Sequence, residues 1–296
     1  MLRLEARSQP SKAMSLASPL LALLVTVLIG VVMFALLGKD PLRALQMFFW
    51  EPIKSAYAWT EIAVKATPLI LIGLGLAICY RSNVWNIGAE GQYVIGAVLA
   101  SGVAMQATAD TPRAIVLVIL LAGIVGGMVW AGIVALLRDR FNANEILVSL
   151  MLVYVALMVL SYLVYGPWKD PKGYNFPQTI TFAAPTKVPR LVDGLRLNIG
   201  VLIALAAVAL AWLFLFRTYR GFGLQVGGLA PAAARYAGFS ASTSLWTALL
   251  ISGGLAGLAG GIEAIGTFKQ ITPHVSTGLG FTAIIVCFVG RLHPVG

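Results

Sequence analysis

Long, unbroken apolar runs alternate with short polar links along almost the whole chain. The runs do not alternate apolar with polar residues, so they predict helices rather than the strands of a membrane barrel. Most are long enough to cross a hydrocarbon core of about 30 Å. Eight are expected: Pro19–Leu37, about Ile62–Tyr80, about Tyr93–Ala107, Ala114–Leu137, a run led in by Asn142, Asn144 and Glu145 that ends near Tyr165, Asn198–Phe216, Leu245–Ile265 and about Gly278–Val289. The fold class is therefore all-α, a polytopic helical transmembrane bundle.

The links carry their own signals. Arg3, Arg7 and Lys12 against Glu5 precede the first run. That run is too long for a signal peptide and no small-residue cleavage site follows it, so an uncleaved helix with a cytoplasmic N-terminus is expected. Residues 38–60 combine Lys39, Arg43, Glu51 and Lys54 with Phe48, Phe49, Trp50, Tyr57 and Trp59. Aromatic rings among charges mark a membrane interface, and a short amphipathic helix on the outer surface is expected there. Asp110-Thr111-Pro112 reads as a turn and helix start. Gly166–Leu197, with five prolines, reads as an extramembranous loop, and Arg217–Ser240 as a second polar connection. Gly123 and Gly127, and then Gly253, Gly257 and Gly261, recur four apart, a spacing that lets helices approach closely.

Composition supports this class and removes others. Charged residues make up 11% of the chain, against about a quarter in soluble domains, and mean hydropathy is +0.89. The net charge of +10 sits in the links, where Lys and Arg orient spans and meet anionic headgroups. Without a soluble basic domain it does not point to nucleic acid. Arg138, Arg140, Arg217, Arg220, Arg235 and Arg291 fall inside in this topology, while Lys169, Lys172, Lys187, Arg190 and Arg196 fall outside, on a loop longer than the charge rule reads well. Cys79 and Cys287 lie in apolar surroundings, as buried small hydrophobes do. No metal-ligand spacing occurs, and His274 and His293 have no partner at a catalytic spacing, so neither metal, cofactor nor catalysis is assigned.

The polar residues that stand out lie between apolar runs. Asn83–Gly96, NVWNIGAEGQYVIG, places Asn83, Asn86, Glu90 and Gln92 among glycines. Such side chains are tolerated at a membrane segment only when they face protein, water or a ligand. A break between two helices is expected, either as part of a substrate pathway or as an internal network that satisfies the broken backbone; for Glu90 the internal network fits its charge better. Asn86 and Gln92 carry both donors and acceptors, as a hydroxylated ligand requires, and Trp85 and Tyr93 could stack on a sugar or base. Glu263, in a glycine-rich run, is either an intramembrane carboxylate or an interfacial one, and Glu145 has the same two readings. Phe281 and Thr282 line a path or pack in the core. Pro231–Gly238 predicts a short helix: Pro231 at its first turn, Ala232, Ala233 and Ala234 as strong helix formers, Gly238 as its stop. A helix this short needs a surface to dock on.

At NVWNIGAEGQ the chain resembles the permease subunits of bacterial ABC importers for nucleosides and simple sugars, in the broad group of ribose and branched-chain amino acid permeases. Phe141–Met151 (FNANEILVSLM), Gly166–Pro171 (GPWKDP), Val226–Phe239 (VGGLAPAAARYAGF), Ser252–Ile265 (SGGLAGLAGGIEAI) and Gly278–Gly296 (GLGFTAIIVCFVGRLHPVG) follow in the family's order. The resemblance covers nearly everything after residue 40, and such permeases usually carry about two further helices beyond the position of Gly296. It implies a single transmembrane permease domain over residues 1–296 in the inner membrane. It also implies an ATP-binding subunit pair, a second and commonly different permease, and an extracytoplasmic solute-binding protein. Pro231, Ala234, Arg235, Tyr236 and Gly238 would then couple to the ATPase, and Asn83, Trp85, Asn86, Glu90, Gln92, Glu263 and Phe281 would form the pathway. The chain has no GxxxxGK[ST] phosphate loop, which assigns ATP hydrolysis to a partner. The alternative is an ion-coupled secondary transporter that uses Glu90, Glu145 and Glu263 as carriers.

Overall fold

The structure, a computed structural model, describes residues 11–192 and 194–296. The expectations resting on Arg3, Glu5 and Arg7 lie outside these residues. The fold divides into two compact units, one up to Ile62 and one from Ala63 to Gly296.

In the first unit, α1 (Lys12–Leu36) starts at Ser11, whose hydroxyl accepts the Met14 N–H. Leu20, Leu24, Leu28 and Val32 are all exposed along it. A helix this apolar and uncovered is suited to lipid, where its backbone groups are already paired. Asp40 then caps α2 (Pro41–Leu45), accepting the Leu42 N–H at 2.9 Å, with Pro41 at the first helical position. The amphipathic segment expected over 38–60 is thus α2 followed by a wide turn, Gln46–Trp50, and a tight one, Glu51–Ile53. Phe48, Phe49 and Trp50 are exposed on it. Helix α3 (Ala56–Arg81) begins here and continues into the second unit.

The second unit is built on α3, α4 (Ala89–Ala104), α5 (Ile115–Phe141), α6 (Glu145–Tyr165), α7 (Gly200–Arg217) and α10 (Ala241–Ile262). The last is prolonged by a wide turn, Glu263–Phe268. Short helices α8 (Tyr219–Leu229), α9 (Pro231–Tyr236) and α11 (Leu279–Val289) complete it. Across the described residues six helices are long and apolar enough to cross a membrane, not eight. The expected third and eighth runs are the exceptions. Helix α4 has 16 residues and α11 has 11, about 24 and 16 Å at 1.5 Å per residue. The region read as a polar connection, Arg217–Ser240, is also mostly helical, because Thr218 caps α8 by accepting the Gly221 N–H at 3.0 Å.

Helices α4, α5 and α10 form the centre, and glycines let them touch backbone to backbone. A side chain at Gly257 would meet the backbone of Gly123 and lie 2.9 Å from the Gly127 nitrogen. One at Gly96 would meet the backbone of Gly257, and one at Gly75 would lie 2.8 Å from the Ser252 Cα. The glycine spacing seen in the sequence is therefore used by α5 and α10 against each other.

Replacing Gly257 with Val should lower stability by about 1–3 kcal/mol or more, because the opposing atoms are backbone and cannot move aside. Gly30→Ala in α1, where a Cβ meets nothing within 4 Å, should change it by less than about 0.5 kcal/mol. Unfolding in mild detergent measures both, and equal effects would remove the close-packing account.

Candidate functional site

Helix α3 stops at Arg81, and Asn83 adopts a left-handed backbone with φ +57° that turns the chain back. The return goes inward. Asn86 reaches Ser252, the residue of α10 that faces Gly75. Gly75 lies six residues before the end of α3, about 9 Å along the helix. The break between α3 and α4 thus re-enters the bundle.

Within it Asn86 is fully buried and uses its whole hydrogen-bonding capacity. Its Nδ2 donates to Gln92 Oε1 and to Ser252 Oγ, both at 3.0 Å. Its Oδ1 accepts the Gly88 N–H at 3.0 Å and Gln92 Nε2 at 3.1 Å. Tyr80 donates its hydroxyl to the Asn86 carbonyl at 3.2 Å. Glu90, 1% exposed, does for a second break what Asn86 does for the first. After the wide turn ending α10 the chain runs through Ile271 and Val275, both buried, and α11 begins at Gly278 in a left-handed conformation. The Glu90 carboxylate accepts Ser276 Oγ at 2.6 Å and the N–H groups of Gly278 and Gly280 at 3.1 and 2.5 Å. One carboxylate in the first turn of α4 therefore caps the start of α11. Gly280 is needed for this approach, since its Cβ would meet the Glu90 backbone.

The other pathway candidates lie differently. Glu263 is buried in the wide turn after α10, hydrogen-bonded to Thr267, with Lys65 and Arg196 as the nearest opposing charges. Trp85 and Phe281 are each 40% exposed. Trp85 lies 5.2 Å from the Tyr80 ring, which stacks on Phe288 at 5.2 Å. Helix α11 turns Gly280, Ala283 and Cys287 inward and leaves Phe281, Thr282, Ile285 and Phe288 open. Glu145 begins α6 and pairs with Arg138 at 3.4 Å, at a helix end rather than within a span.

At this end of the bundle lies α9. Pro231, Arg235 and Tyr236 are exposed, Tyr236 at 97%. Ala234 is buried and holds the helix down, and Gly238 ends it at φ +84°. A cleft of about 420 Å³ separates α9 from the end of α5, lined by Asn83, Arg138, Glu145 and Arg235 among others. Asp139 accepts Ser242 Oγ at 2.9 Å and Trp246 Nε1 at 3.1 Å, tying α5 to α10 beside it. Arg81 was not singled out from the sequence, yet it joins four segments. Its Nε donates to the Leu292 carbonyl at 2.6 Å, its Nη1 to Gln225 Oε1 at 2.9 Å, and its guanidinium lies 5.2 Å from the Phe216 ring. A lone Arg closing an apolar run was the only signal available.

At the opposite end the loop Gly166–Leu197 packs on the segment after α10. Phe182 donates its N–H to the Lys269 carbonyl at 2.9 Å and Thr179 to that of Ile271 at 3.0 Å. Burial pushes the Lys269 ammonium below its ordinary value, and Arg190, Lys187 and Arg196 push it the same way. Four cations therefore share one face.

Cutting Glu90 back to Ala should leave the Gly278 and Gly280 N–H groups buried without acceptors, at about 1–3 kcal/mol each. Hydrogen exchange at residues 278–282 should accelerate strongly in Glu90→Ala and less in Glu90→Gln, which keeps one acceptor oxygen. Unchanged exchange in both would show that the carboxylate does not hold α11.

Comparison with known proteins bears on what this arrangement serves. The family model described as branched-chain amino acid transport system / permease component matches residues 59–296. A glucose ABC transporter permease protein of Haloferax volcanii is 34% identical over 98% of this chain and 78% of its own length. A guanosine ABC transporter permease protein of Bacillus subtilis is 30% identical over 94% of this chain and 80% of its own. A nucleoside ABC transporter permease protein of Lactococcus lactis is 26% identical over 97% and 81%. No solved structure matches.

Proposed function

The chain belongs to the branched-chain amino acid transport system / permease component family, and on that premise we propose that it forms one half of a translocation path for a nucleoside, with a simple sugar as the second choice. It is a multi-pass permease subunit of an ATP-binding-cassette importer in the inner membrane, and it is not itself an enzyme. ATP hydrolysis belongs to separate subunits. The ion-coupled alternative loses its support with this membership.

The observation that carries the mechanistic reading is the pair of short helices meeting inside the bundle, α4 and α11, joined through Glu90. Two half-length helices with a polar junction are what transporters use at a binding site near the membrane midplane. In this reading Asn83, Asn86, Glu90, Gln92 and Glu263 belong to the pathway as its supports. Asn86, Gln92 and Glu90 hold the two breaks, while Trp85 and Phe281 offer open aromatic faces. Phe281, Thr282 and Ile285 on the free face of α11 meet the path, and the second permease, a different chain, closes the other side. Stacking on Trp85 suits a base or a sugar ring, and the guanosine and nucleoside permeases among the relatives favour the base.

Helix α9 is the coupling element. Arg235 and Tyr236 would contact the ATPase, Pro231 and Gly238 set the ends of the helix, and Ala234 anchors it. The basic face of Lys187, Arg190, Arg196 and Lys269 receives the solute-binding protein, so that contact should weaken as salt rises.

Two measurements test this. Affinity purification of the protein should bring down an ATPase, and Arg235→Glu should reduce its recovery at least about tenfold with the permease still monodisperse. In reconstituted vesicles, nucleoside-loaded binding protein should raise ATP hydrolysis several-fold over the empty form. Stimulation by sugars alone would overturn the nucleoside assignment, and failure to recover any ATPase would overturn the coupling role of α9.

A further inference from the structure

Away from the breaks, a groove of about 450 Å³ runs between α5, α7 and α10, lined by apolar side chains that include Ile124, Met128, Phe214, Leu250 and Leu258. Its one charged lining residue is Arg220, on α8 just beyond the end of α7. Arg220 and Thr247 also line a second cleft of about 250 Å³, where Ser240, Thr243, Ser244 and Tyr219 add hydroxyls. The two spaces therefore adjoin at Arg220 and Thr247: a hydroxyl-rich mouth, a guanidinium at the junction and an apolar channel beyond it.

We propose that this groove holds an anionic phospholipid, with its phosphate on Arg220 and the neighbouring hydroxyls and an acyl chain along α10. Three observations favour a lipid over a protein segment. Along α10 the apolar part extends from Thr247 to Leu258, about 16 Å. That is roughly half of a 30 Å core, the depth of one leaflet. A partner helix crossing the membrane would need contact along the whole span. Second, Arg220 is exposed and makes no hydrogen bond or ion pair with any described residue. A planar guanidinium at an apolar edge is suited to phosphate, which it can bind in two places at once. Third, Tyr219 lies 5.0 Å from the Phe239 ring, with Phe222 behind it, so aromatic rings rim the mouth as they do at a headgroup boundary. Arg138, Arg217 and Arg235 lie at the same end of the bundle. That is the cytoplasmic end in the expected topology, where anionic lipids are enriched. The inference needs the membrane spans only, and stands whether or not the importer reading holds.

The test is native mass spectrometry of the protein as purified, with whatever subunits accompany it. Phosphatidylglycerol and phosphatidylcholine of matched chains are added in equal amounts. Wild type should retain phosphatidylglycerol about tenfold over phosphatidylcholine. Arg220→Ala should bring the ratio near one, and Arg220→Lys should restore part of it. Leu250→Trp, which fills the channel, should lower retention of both lipids. Equal retention by wild type, or a preference that survives Arg220→Ala, would overturn the proposal. So would a cross-link from Leu250→Cys to another protein chain, which would make the groove a subunit interface. Loss of the ATPase from the same spectra would bear on the importer reading and leave the lipid ratio intact.

Discussion

Lipid offers no partner to a backbone N–H or C=O, and this chain interrupts its helices twice within the bundle. The Glu90 carboxylate and the Asn86 carboxamide meet the need for partners there. Asn86 pairs its own turn to Gln92 and Ser252, and Glu90 crosses from α4 to receive the otherwise unpaired N–H groups that begin α11. A carboxylate is the natural choice at a helix start, since the unpaired N–H groups and the helix dipole both favour negative charge. Buried charge is otherwise costly, and three hydrogen bonds from fixed donors offset it. The position of α11 therefore depends on a residue almost two hundred positions away in sequence.

Close packing makes this arrangement possible. The carboxylate of Glu90 reaches Gly280 only because α4 and the start of α11 touch through glycine, and α4 is itself seated against α10 through Gly96 and Gly257. The central helices are held by shape and by backbone proximity rather than by apolar burial, which lipid would satisfy equally well. Contacts of that kind are stiff against compression yet few in number.

Much of this was legible in the sequence, and the limits have physical causes. The helical class, the first-turn proline of α9 and the break after α3 could each be read, because Pro231, Gly238 and the cluster Asn83–Gln92 act locally. The lengths of α4 and α11 could not. Apolar runs at Tyr93–Ala107 and Gly278–Val289 look like full-length crossings, since composition alone does not separate a short helix, whether buried by other helices as α4 is or largely open as α11 is, from one long enough to span lipid. The pairing of Glu90 with Gly278 and Gly280 was equally hidden: an acid among amides shows that something satisfies it, and not what. The part played by Arg81 was missed because its partners, Leu292, Gln225 and Phe216, come from three distant segments.

A chain of direct contacts also runs from α8 and α9 to the ends of α3 and α11. Helix α9 follows directly on α8, whose Gln225 is held by Arg81 at the last turn of α3. At Gly228 a side chain would meet the backbone carbonyl of Arg81, so α8 rests directly on the end of α3. Arg81 in turn grips the carbonyl of Leu292, just beyond α11. Arg81 therefore ties α8, the helix next to α9, to the ends of α3 and α11 at once. Farther into the bundle, Asn86 holds the chain after α3 and Glu90 holds the head of α11, each through its own set of partners. Helix α11 is thus fixed at both ends, by Glu90 at its head and by Arg81 just beyond its tail.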